Sequence, residues 1–376
     1  MDPRSENRPD PTDTATENED PLTEDVRAAE KVVNAFFYYK DYGREKVLKM
    51  AKEMRKLTPA HQQLLNFPRN PHFEKVLRCV LENDKLIKKI IPISLEMFGD
   101  DFEKVTRITQ LRRPEPDFMS KVLSSFRQLV REWTDEGRED RLATFNPIID
   151  ELRKRFPDEE MRHDITILCP GAGLGRLPYE LVLNGFSVIG NECSLFMLFF
   201  SGYILNVCKK ANEHTIYPYI FDKSNSWSYE DQTRAVSFPD ICPFEINQER
   251  KKRKNFFGME AGTFLESQKK ENIWSCVVTA WFIDTANNIL DYIEKIYEIL
   301  KPGGLWINVG PLTYHFEDVP GEASIEIPYK DLMRIISEVG FVIEEERQIE
   351  SNYTNNMRSM LRSVYTCAFF VAKKPM

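Results

Sequence analysis

The stretch Ile165-Thr-Ile-Leu-Cys-Pro-Gly-Ala-Gly-Leu-Gly-Arg176 decides how the rest of this 376-residue chain is interpreted. Its first five residues form a short apolar run typical of a strand, and Gly171, Gly173 and Gly175 separate this run from a helical pattern. Glycines in such a turn let the backbone reverse tightly and let a ligand approach it closely. Glu192 lies 21 residues after Gly171, at the end of the next strand-like run, where its carboxylate can accept hydrogen bonds from both ribose hydroxyls. Together these features predict a nucleoside-binding site.

Strand-like and helical patterns alternate on the carboxyl-terminal side of this glycine loop. They cover residues 177–183, 186–189, 195–207, 274–282, 289–300, 305–309, 331–339, 341–347 and 364–372. Such alternation predicts an α/β fold with a doubly wound parallel sheet, and the last two runs can close it as a hairpin. Residues 213–272 have no clear period, so we interpret them as an insertion within a sheet domain that spans 146–376.

Helical spacing characterises residues 26–145, which predicts an all-helical region ahead of the sheet. Within it, Tyr42-Gly43 is a candidate break between two helices, and further helical segments are expected over 72–90, 92–105 and 117–134. Residues 1–25 hold nine acidic residues against two arginines and almost no large apolar residue. A segment of this composition cannot bury enough apolar surface to fold, so we expect a disordered acidic tail.

The charge distribution argues against a general nucleic-acid-binding surface. The tail carries −7 of the formal net charge of −8, which leaves the remaining 351 residues at −1.

The longest uncharged run, 194–208, is too short to span a bilayer, and the first residues contain no apolar leader. Seven scattered cysteines without a CxxC pair indicate free thiols in a reducing compartment, and five dispersed histidines argue against a structural zinc site. We therefore expect a cytoplasmic protein that holds no metal.

The basic run Arg250-Lys-Lys-Arg-Lys254 has two interpretations. It lies within the segment interpreted as an insertion, where a run of cations is typical of a solvated loop. Short lysine- and arginine-rich runs also act as nuclear localisation signals, and this alternative would place the protein in the nucleus as well.

The glycine spacing separates two classes of nucleoside-binding fold. Dinucleotide-binding folds usually carry GxGxxG and hold a pyrophosphate at the N-terminus of the following helix, whereas the spacing here is GxGxG. The loop, its spaced acid, the junction Leu300-Lys-Pro-Gly-Gly-Leu-Trp306 and the closing hairpin together resemble class I S-adenosylmethionine-dependent methyltransferases. An NAD- or FAD-dependent enzyme is the alternative.

Several longer stretches resemble one family within that class. They are Gln128-Leu-Val-Arg-Glu-Trp133, Pro170-Gly-Ala-Gly-Leu-Gly-Arg-Leu177, Gly190-Asn-Glu-Cys-Ser-Leu-Phe-Met197, Phe282-Ile-Asp-Thr-Ala286, Trp306-Ile-Asn-Val-Gly-Pro-Leu312 and Tyr314-His-Phe316. Over residues 28–376 the chain resembles the carnosine N-methyltransferases, which place a helical region ahead of a Rossmann-like methyltransferase domain. The resemblance implies methyl transfer from S-adenosylmethionine to an imidazole nitrogen of the dipeptide carnosine, giving anserine. It also implies a homodimer.

The resemblance further implies which residues contact the cofactor. It assigns to S-adenosylmethionine the residues Gln128, Arg131, Gly171, Gly173, Glu192, Thr263, Phe264 and Ala280. Thr263 stands where the family tends to have an aspartate, so its hydroxyl implies a weaker hydrogen bond to the adenine amino group. Ala280 stands where a cysteine is frequent and offers backbone or apolar contact only. Without the resemblance, Gln128 and Arg131 would be an i, i+3 pair on a solvated helix face.

On the substrate side, the resemblance implies that Asp284, His315 and Tyr365 contact carnosine. A neutral His315 or an ionised Asp284 can accept the N–H of the imidazole nitrogen that is not methylated, and the sequence leaves open which one does. Asn287 replaces a histidine of relatives and receives no role. The residues alone also permit a helix-terminal acid at 284, a structural histidine at 315 and a core tyrosine at 365.

Two other functions use the same cofactor site. A protein histidine or another small amine could be the methyl acceptor, which would require an open groove rather than an enclosed pocket. A non-catalytic methyltransferase-like binding module is the other, and the presence of Glu192, Asp284 and His315 argues against it. None of these functions requires a metal, because the methyl group of a sulfonium is already activated.

Overall fold

The computed structural model describes residues 24–99, 105, 111–243 and 254–376. Most of the acidic tail and of the basic run, and part of the segment 92–105, lie outside the described residues. The described chain ahead of the sheet is helical, as predicted. Its helices are α1 (Glu24–Phe37), α2 (Tyr39–Arg55), α3 (Pro59–Leu64), α4 (His72–Glu96), α5 (Pro116–Trp133) and α6 (Arg138–Arg155).

Two expected helix breaks are wrong. The first break follows Phe37, and α2 runs without interruption through Tyr42-Gly43. A Cβ atom on Gly43 would lie 2.6 Å from Cγ1 of Val80, so this glycine allows α2 to pack closely against α4. Helix α4 continues through Pro92. The proline costs one hydrogen bond, but apolar residues on both sides of it are buried and hold the helix against its neighbours.

The second half of the chain alternates strands and helices around a seven-stranded sheet. Its elements are β1 (Thr166–Pro170), α7 (Arg176–Leu183), β2 (Ser187–Glu192), α8 (Leu195–Val207), β3 (His214–Ile216), α9 (Tyr229–Gln232), β4 (Val236–Phe238), β5 (Phe257–Ala261), α10 (Phe264–Ser267), β6 (Trp274–Ala280), α11 (Ile289–Ile299), β7 (Leu300–Gly310), α12 (Tyr329–Val339), β8 (Val342–Asn352) and β9 (Val364–Lys373). The sheet order is β5-β2-β1-β6-β7-β9-β8. The first five strands in this order, from β5 to β7, are parallel, and β9 lies antiparallel to both of its neighbours.

This topology confirms the predicted Rossmann-like doubly wound sheet and its closing hairpin. The chain moves outward from β1 through β2 to β5 on one side, and from β6 to β7 on the other. The direction of winding therefore reverses between β1 and β6. In open α/β sheets the carboxyl ends of the strands form a ligand-binding crevice at such a switch point.

The interpretation of residues 213–272 as one insertion is wrong at its carboxyl-terminal end. Strand β5 lies within this segment and pairs in parallel with β2, from Val188 opposite Phe257 to Glu192 opposite Ala261. Its sequence, Phe-Gly-Met-Glu-Ala, has no continuous apolar run, and three of its five residues, Gly258, Glu260 and Ala261, are of types depleted in strands. Earlier in the segment, β3 and β4 pair as a separate antiparallel ribbon.

The helical region and the sheet domain share one hydrophobic core. Helix α8 carries no charged residue because it lies between them, and the ring of Phe36 on α1 contacts Phe196, Phe199 and Phe200 on α8 at centroid distances of 5.5 to 6.5 Å. Helix α6 runs continuously past residues 145 and 146. The expected domain boundary therefore lies inside a helix. Within the described residues, no helix is long and apolar enough to cross a membrane.

Candidate active site

A cavity of about 450 Å³ lies at the carboxyl ends of β1, β2 and β6, at the switch point of the sheet. Most of the site residues expected from the sequence contribute to its wall. Those that line it are Gln128, Arg131, Gly171, Gly173, Glu192, Thr263, Phe264, Ala280 and His315. The wall does not include Asp284 or Tyr365. The described structure thus brings the expected cofactor residues together with one of the three expected substrate residues.

The glycine loop has left-handed backbone at both of the glycines that line this cavity. Gly171 has φ +66° and Gly173 has φ +57°. A Cβ atom on Gly171 would lie 2.4 Å from Cδ2 of Phe282, and one on Gly173 would lie 2.6 Å from Oε1 of Glu132. Both positions therefore exclude a side chain by conformation and by space.

Glu192 holds the loop from the end of β2. Its Oε2 accepts the N–H of Gly173 at 2.8 Å, and its Oε1 accepts those of Cys193 and Ser194 at 2.9 and 2.8 Å. Burial raises the pKa of the Glu192 carboxyl, and these three backbone donors oppose that rise. A carboxylate fixed in this way at the cavity wall can also accept hydroxyl donors from a ribose.

Aromatic rings form the side of the cavity next to Thr263 and Ala280. The Phe282 ring stacks on Tyr292 at a centroid distance of 4.8 Å, and Phe264 meets Phe282 edge-on at 5.6 Å. The Thr263 hydroxyl donates to Oε2 of Glu266 at 2.7 Å. An adenine ring suits such an apolar wall, and the Thr263 oxygen still has a lone pair with which to accept its amino group.

Helix α5 presents two polar groups that have unsatisfied atoms. Gln128 Nε2 donates to the hydroxyl of Tyr353, and the Arg131 guanidinium lies 4.9 Å from the centre of the Tyr353 ring. Gln128 Oε1 and Arg131 Nε are both buried and have no hydrogen-bond partner among the described residues. Buried atoms of this kind are costly unless a ligand satisfies them. The alternative prediction, that Gln128 and Arg131 lie on a solvated helix face, is therefore wrong, because both side chains line the cavity.

The substrate-side residues follow β6 and β7. Asp284 is only 2% exposed, and its Oδ2 accepts both the N–H and the hydroxyl of Thr313, at 2.8 and 2.7 Å. The backbone oxygen of Asp284 accepts the N–H of His315 at 3.0 Å. The carboxylate thus fixes the turn that carries His315, whose exposed ring lines the cavity.

Tyr365 lies one layer behind the cavity. Its ring packs edge-on against Trp281 at a centroid distance of 5.0 Å, and Trp281 in turn contacts Tyr353 at 4.6 Å. Both Trp281 and Tyr353 line the cavity. In the structure described, Tyr365 therefore supports the wall and reaches the cavity through Trp281.

Several cavity residues were not found from the sequence. They are Glu132, Phe145, Trp281, Phe282, Asn287, Tyr292 and Tyr353. Asn287, which received no role, donates from its amide to the backbone oxygen of Ala323 at 2.9 Å and so ties the 322–325 loop to the cavity. Glu132 had a usable signal, since it adjoins Arg131 and lies four residues after Gln128 on the same helix face. Tyr353 had none, because only the turn of the closing hairpin brings it here.

One cluster outside the cavity brings metal-ligand residue types together, although the sequence argued against a metal. Donor atoms of Cys208, Glu213 and His214 lie within 4.8 Å of one another. Glu213 already accepts the N–H of Lys209 at 2.8 Å, and His214 Nε2 lies 3.1 Å from the Tyr203 hydroxyl. Burial raises the pKa of the Cys208 thiol to about 12. These contacts account for the cluster without an ion.

The amino-acid end of S-adenosylmethionine matches the unsatisfied groups of the site. Its carboxylate suits Arg131 and its ammonium suits Oε1 of Gln128, while Glu192 and the aromatic wall suit its ribose and adenine. The sheet topology, the glycine loop and this donor set are those of a class I S-adenosylmethionine-dependent methyltransferase.

Within that class, the chain belongs to the carnosine N-methyltransferase family. The family model "Carnosine N-methyltransferase" matches residues 108–376. The mouse carnosine N-methyltransferase is 40% identical over 348 residues, which cover 92% of this chain and 85% of that protein. The Drosophila melanogaster protein "Carnosine N-methyltransferase unmet" is 38% identical over 373 residues, covering 94% and 80% of the two chains. The Schizosaccharomyces pombe carnosine N-methyltransferase is 34% identical over 369 residues, covering 93% and 96%.

Proposed function

We propose that this protein transfers a methyl group from S-adenosylmethionine to an imidazole nitrogen of carnosine, giving anserine. One observation carries the proposal: a single cavity, in a chain of this family, combines the cofactor-binding groups with the ring of His315. Relatives from mouse, fly and fission yeast that bear the name carnosine N-methyltransferase support the choice of acceptor.

The acceptor must offer an uncharged ring nitrogen with a free lone pair. Because a free imidazole has a pKa of about 6.5, most of it is neutral at pH 7. The new nitrogen–carbon bond forms as the carbon–sulfur bond of the sulfonium breaks, and the other ring nitrogen then releases its proton. The sulfonium supplies an activated methyl group, so the protein contributes mainly alignment and exclusion of water.

Of the two expected proton acceptors, His315 has the better position. Its ring lines the cavity, whereas the Asp284 carboxylate is buried outside the wall and is bonded to Thr313. An unprotonated His315 nitrogen can accept the N–H of the acceptor imidazole and stabilise the positive charge that methylation creates. Asp284 then acts as a positioning residue that fixes the 313–315 turn.

A labelled-methyl assay tests the proposal directly. Purified protein is incubated with methyl-labelled S-adenosylmethionine and, in separate reactions, carnosine, other histidine dipeptides, histidine-containing peptides and small amines. We expect label in the ring of carnosine, and anserine as the product identified by mass spectrometry. Transfer to protein histidines or small amines with none to carnosine would favour the alternative acceptors. Absence of transfer to every acceptor, with cofactor bound, would favour a binding module.

Replacing Asp284 with asparagine is expected to lower kcat about tenfold while the protein stays folded. The change removes the charge from the two Thr313 hydrogen bonds, so the turn that carries His315 loses part of its support. Steady-state kinetics on carnosine and circular dichroism measure the two effects. Asp291→Asn, at an exposed position of α11, is the control and should leave kcat unchanged. An unchanged kcat in Asp284→Asn would exclude an important charge at that position.

For location and assembly, we propose a cytoplasmic protein that forms a homodimer and acts on a small dipeptide rather than on nucleic acid or membrane. The near-neutral charge outside the tail supports the absence of a nucleic-acid partner. Light scattering coupled to size-exclusion chromatography measures the mass of the assembly, and a monomer would contradict the dimer.

The basic run is tested with a fluorescent reporter fused to residues 245–258. Nuclear accumulation of the fusion is expected if the run is a localisation signal that places part of the protein in the nucleus. A second fusion, in which alanines replace the five basic residues 250–254, is the matched control. A reporter that stays in the cytosol would leave the run as a solvated loop.

A further inference from the structure

Glu132 joins the helical region to the glycine loop. It lies one residue before the end of α5, is 4% exposed, and points both carboxylate oxygens at the start of α7. Oε1 and Oε2 accept the N–H of Leu174 at 3.2 and 3.1 Å, and Oε2 accepts that of Arg176 at 3.2 Å. The missing side chain of Gly173 leaves the room that Oε1 occupies. A residue from outside the sheet domain thus fills the space above the helix N-terminus.

The Glu132 carboxylate occupies the place that a phosphate takes in dinucleotide-binding folds. In those folds, free N–H groups after the glycine loop and at the first turn of the helix bind a pyrophosphate. Here the same kind of N–H group, from Leu174 and Arg176, is already bonded to Glu132. A pyrophosphate at this position would have to displace a buried carboxylate of its own charge sign. The loop is therefore closed to phosphate by a residue of the chain itself.

Glu132 also sets the charge of the cavity. It lines the cavity together with Glu192 and Arg131. Burial raises the pKa of the Glu132 carboxyl, while Arg131 and the N–H groups of Leu174 and Arg176 oppose that rise. When both carboxylates are ionised, their charge exceeds that of the single guanidinium, which favours a cationic ligand. S-adenosylmethionine carries a sulfonium charge that its demethylated product, S-adenosylhomocysteine, lacks. A cavity of net negative charge is therefore expected to bind the donor more tightly than the spent cofactor.

We propose that Glu132 is the residue that determines the cofactor class of this site. It blocks the phosphate position of the glycine loop and supplies negative charge that favours a sulfonium nucleoside. The inference rests on the proposed function only in that the cofactor is S-adenosylmethionine, and it does not depend on which acceptor is methylated.

Isothermal titration calorimetry of Glu132→Gln tests this inference. Glutamine keeps the shape of the side chain and one of its two acceptor oxygens but removes the charge. We expect the affinity for S-adenosylmethionine to fall at least about tenfold more than that for S-adenosylhomocysteine. We also expect inorganic pyrophosphate, which should not compete with the cofactor in the wild-type protein, to compete in Glu132→Ser, where the phosphate position is open.

The matched control is Glu151→Gln. Glu151 is also 4% exposed and lies on α6, where it is paired with Arg155 and Lys154 and does not line the cavity. Its replacement is expected to lower stability without changing the ratio of the two cofactor affinities. Equal losses of both affinities in Glu132→Gln, together with no competition by pyrophosphate in Glu132→Ser, would overturn the inference and leave Glu132 a structural cap.

A charge-retaining variant covers the case in which the neutral variants do not fold. Glu132→Asp should keep the wild-type preference for S-adenosylmethionine over S-adenosylhomocysteine and should still exclude pyrophosphate. Loss of that preference in a folded Glu132→Asp protein would overturn the inference. Failure of the proposed function would look different, because wild-type protein would then bind the cofactor without methylating carnosine.

Discussion

Replacing His315 with alanine is expected to lower kcat by about 10²- to 10⁴-fold, the range that a positioned proton acceptor contributes. The ring lies at the cavity wall on an exposed turn, so its removal should affect neither the core nor the glycine loop. The affinity for S-adenosylmethionine should therefore stay close to that of the wild-type protein. Steady-state methyl transfer to carnosine measures kcat, and calorimetry measures the affinity.

Two further variants identify the cause of that loss. His315→Asn retains an oxygen that can accept the N–H of the acceptor ring, and it should recover part of the rate. His61→Ala removes an exposed histidine on α3 and should change nothing. If His315→Ala weakens cofactor binding and turnover equally, the residue supports the pocket and has no catalytic role.

Sequence patterns predicted the elements that depend only on residues close together in the chain. The glycine loop was found because left-handed backbone at Gly171 and Gly173 requires glycine, and Glu192 because a strand end fixes its place next to that loop. Helix α8 was predicted with its observed bounds, 195–207, because a helix buried on all sides has no charged residue. The order of the elements then limited the topology to a doubly wound sheet.

Features caused by contacts distant in sequence were not predictable in the same way. Strand β5 exists because β2 offers an edge to pair with, and three of its own five residues are of types depleted in strands. Gly43 indicates a helix break when the sequence is considered alone, but in the structure it allows the close approach of Val80, 37 residues later in the chain. Tyr353 becomes a cavity residue because the hairpin returns it to Gln128, 225 residues earlier.

The substrate side shows how far a family resemblance extends. The resemblance selected Asp284, His315 and Tyr365, and the structure adds that they lie at different depths from the cavity. His315 lies at the wall, Asp284 holds its turn through Thr313, and Tyr365 supports Trp281. A motif identifies residues that act together, whereas burial and contacts show which one can touch the acceptor.

Replacing Gly171 with alanine is expected to weaken S-adenosylmethionine binding by about 30- to 100-fold. For alanine, the left-handed backbone at φ +66° costs about 1–2 kcal/mol of conformational free energy. Its Cβ would also lie 2.4 Å from Phe282, whose ring stacks on Tyr292, so the aromatic wall of the cavity must move. Displacing packed rings costs about 1–3 kcal/mol more. Of the combined cost, we expect about 2–3 kcal/mol to be lost from the free energy of cofactor binding, which corresponds to the stated change in affinity. Calorimetry with S-adenosylmethionine measures the loss.

Gly321 separates the two causes of that loss. It also has left-handed backbone, at φ +86°, but an added Cβ would meet nothing within 4 Å. Gly321→Ala should therefore lose a similar conformational increment of stability and bind the cofactor as the wild-type protein does. Wild-type affinity in a folded Gly171→Ala protein would mean that Phe282 moves freely. The close contact between the glycine loop and the aromatic wall would then have no part in shaping the pocket.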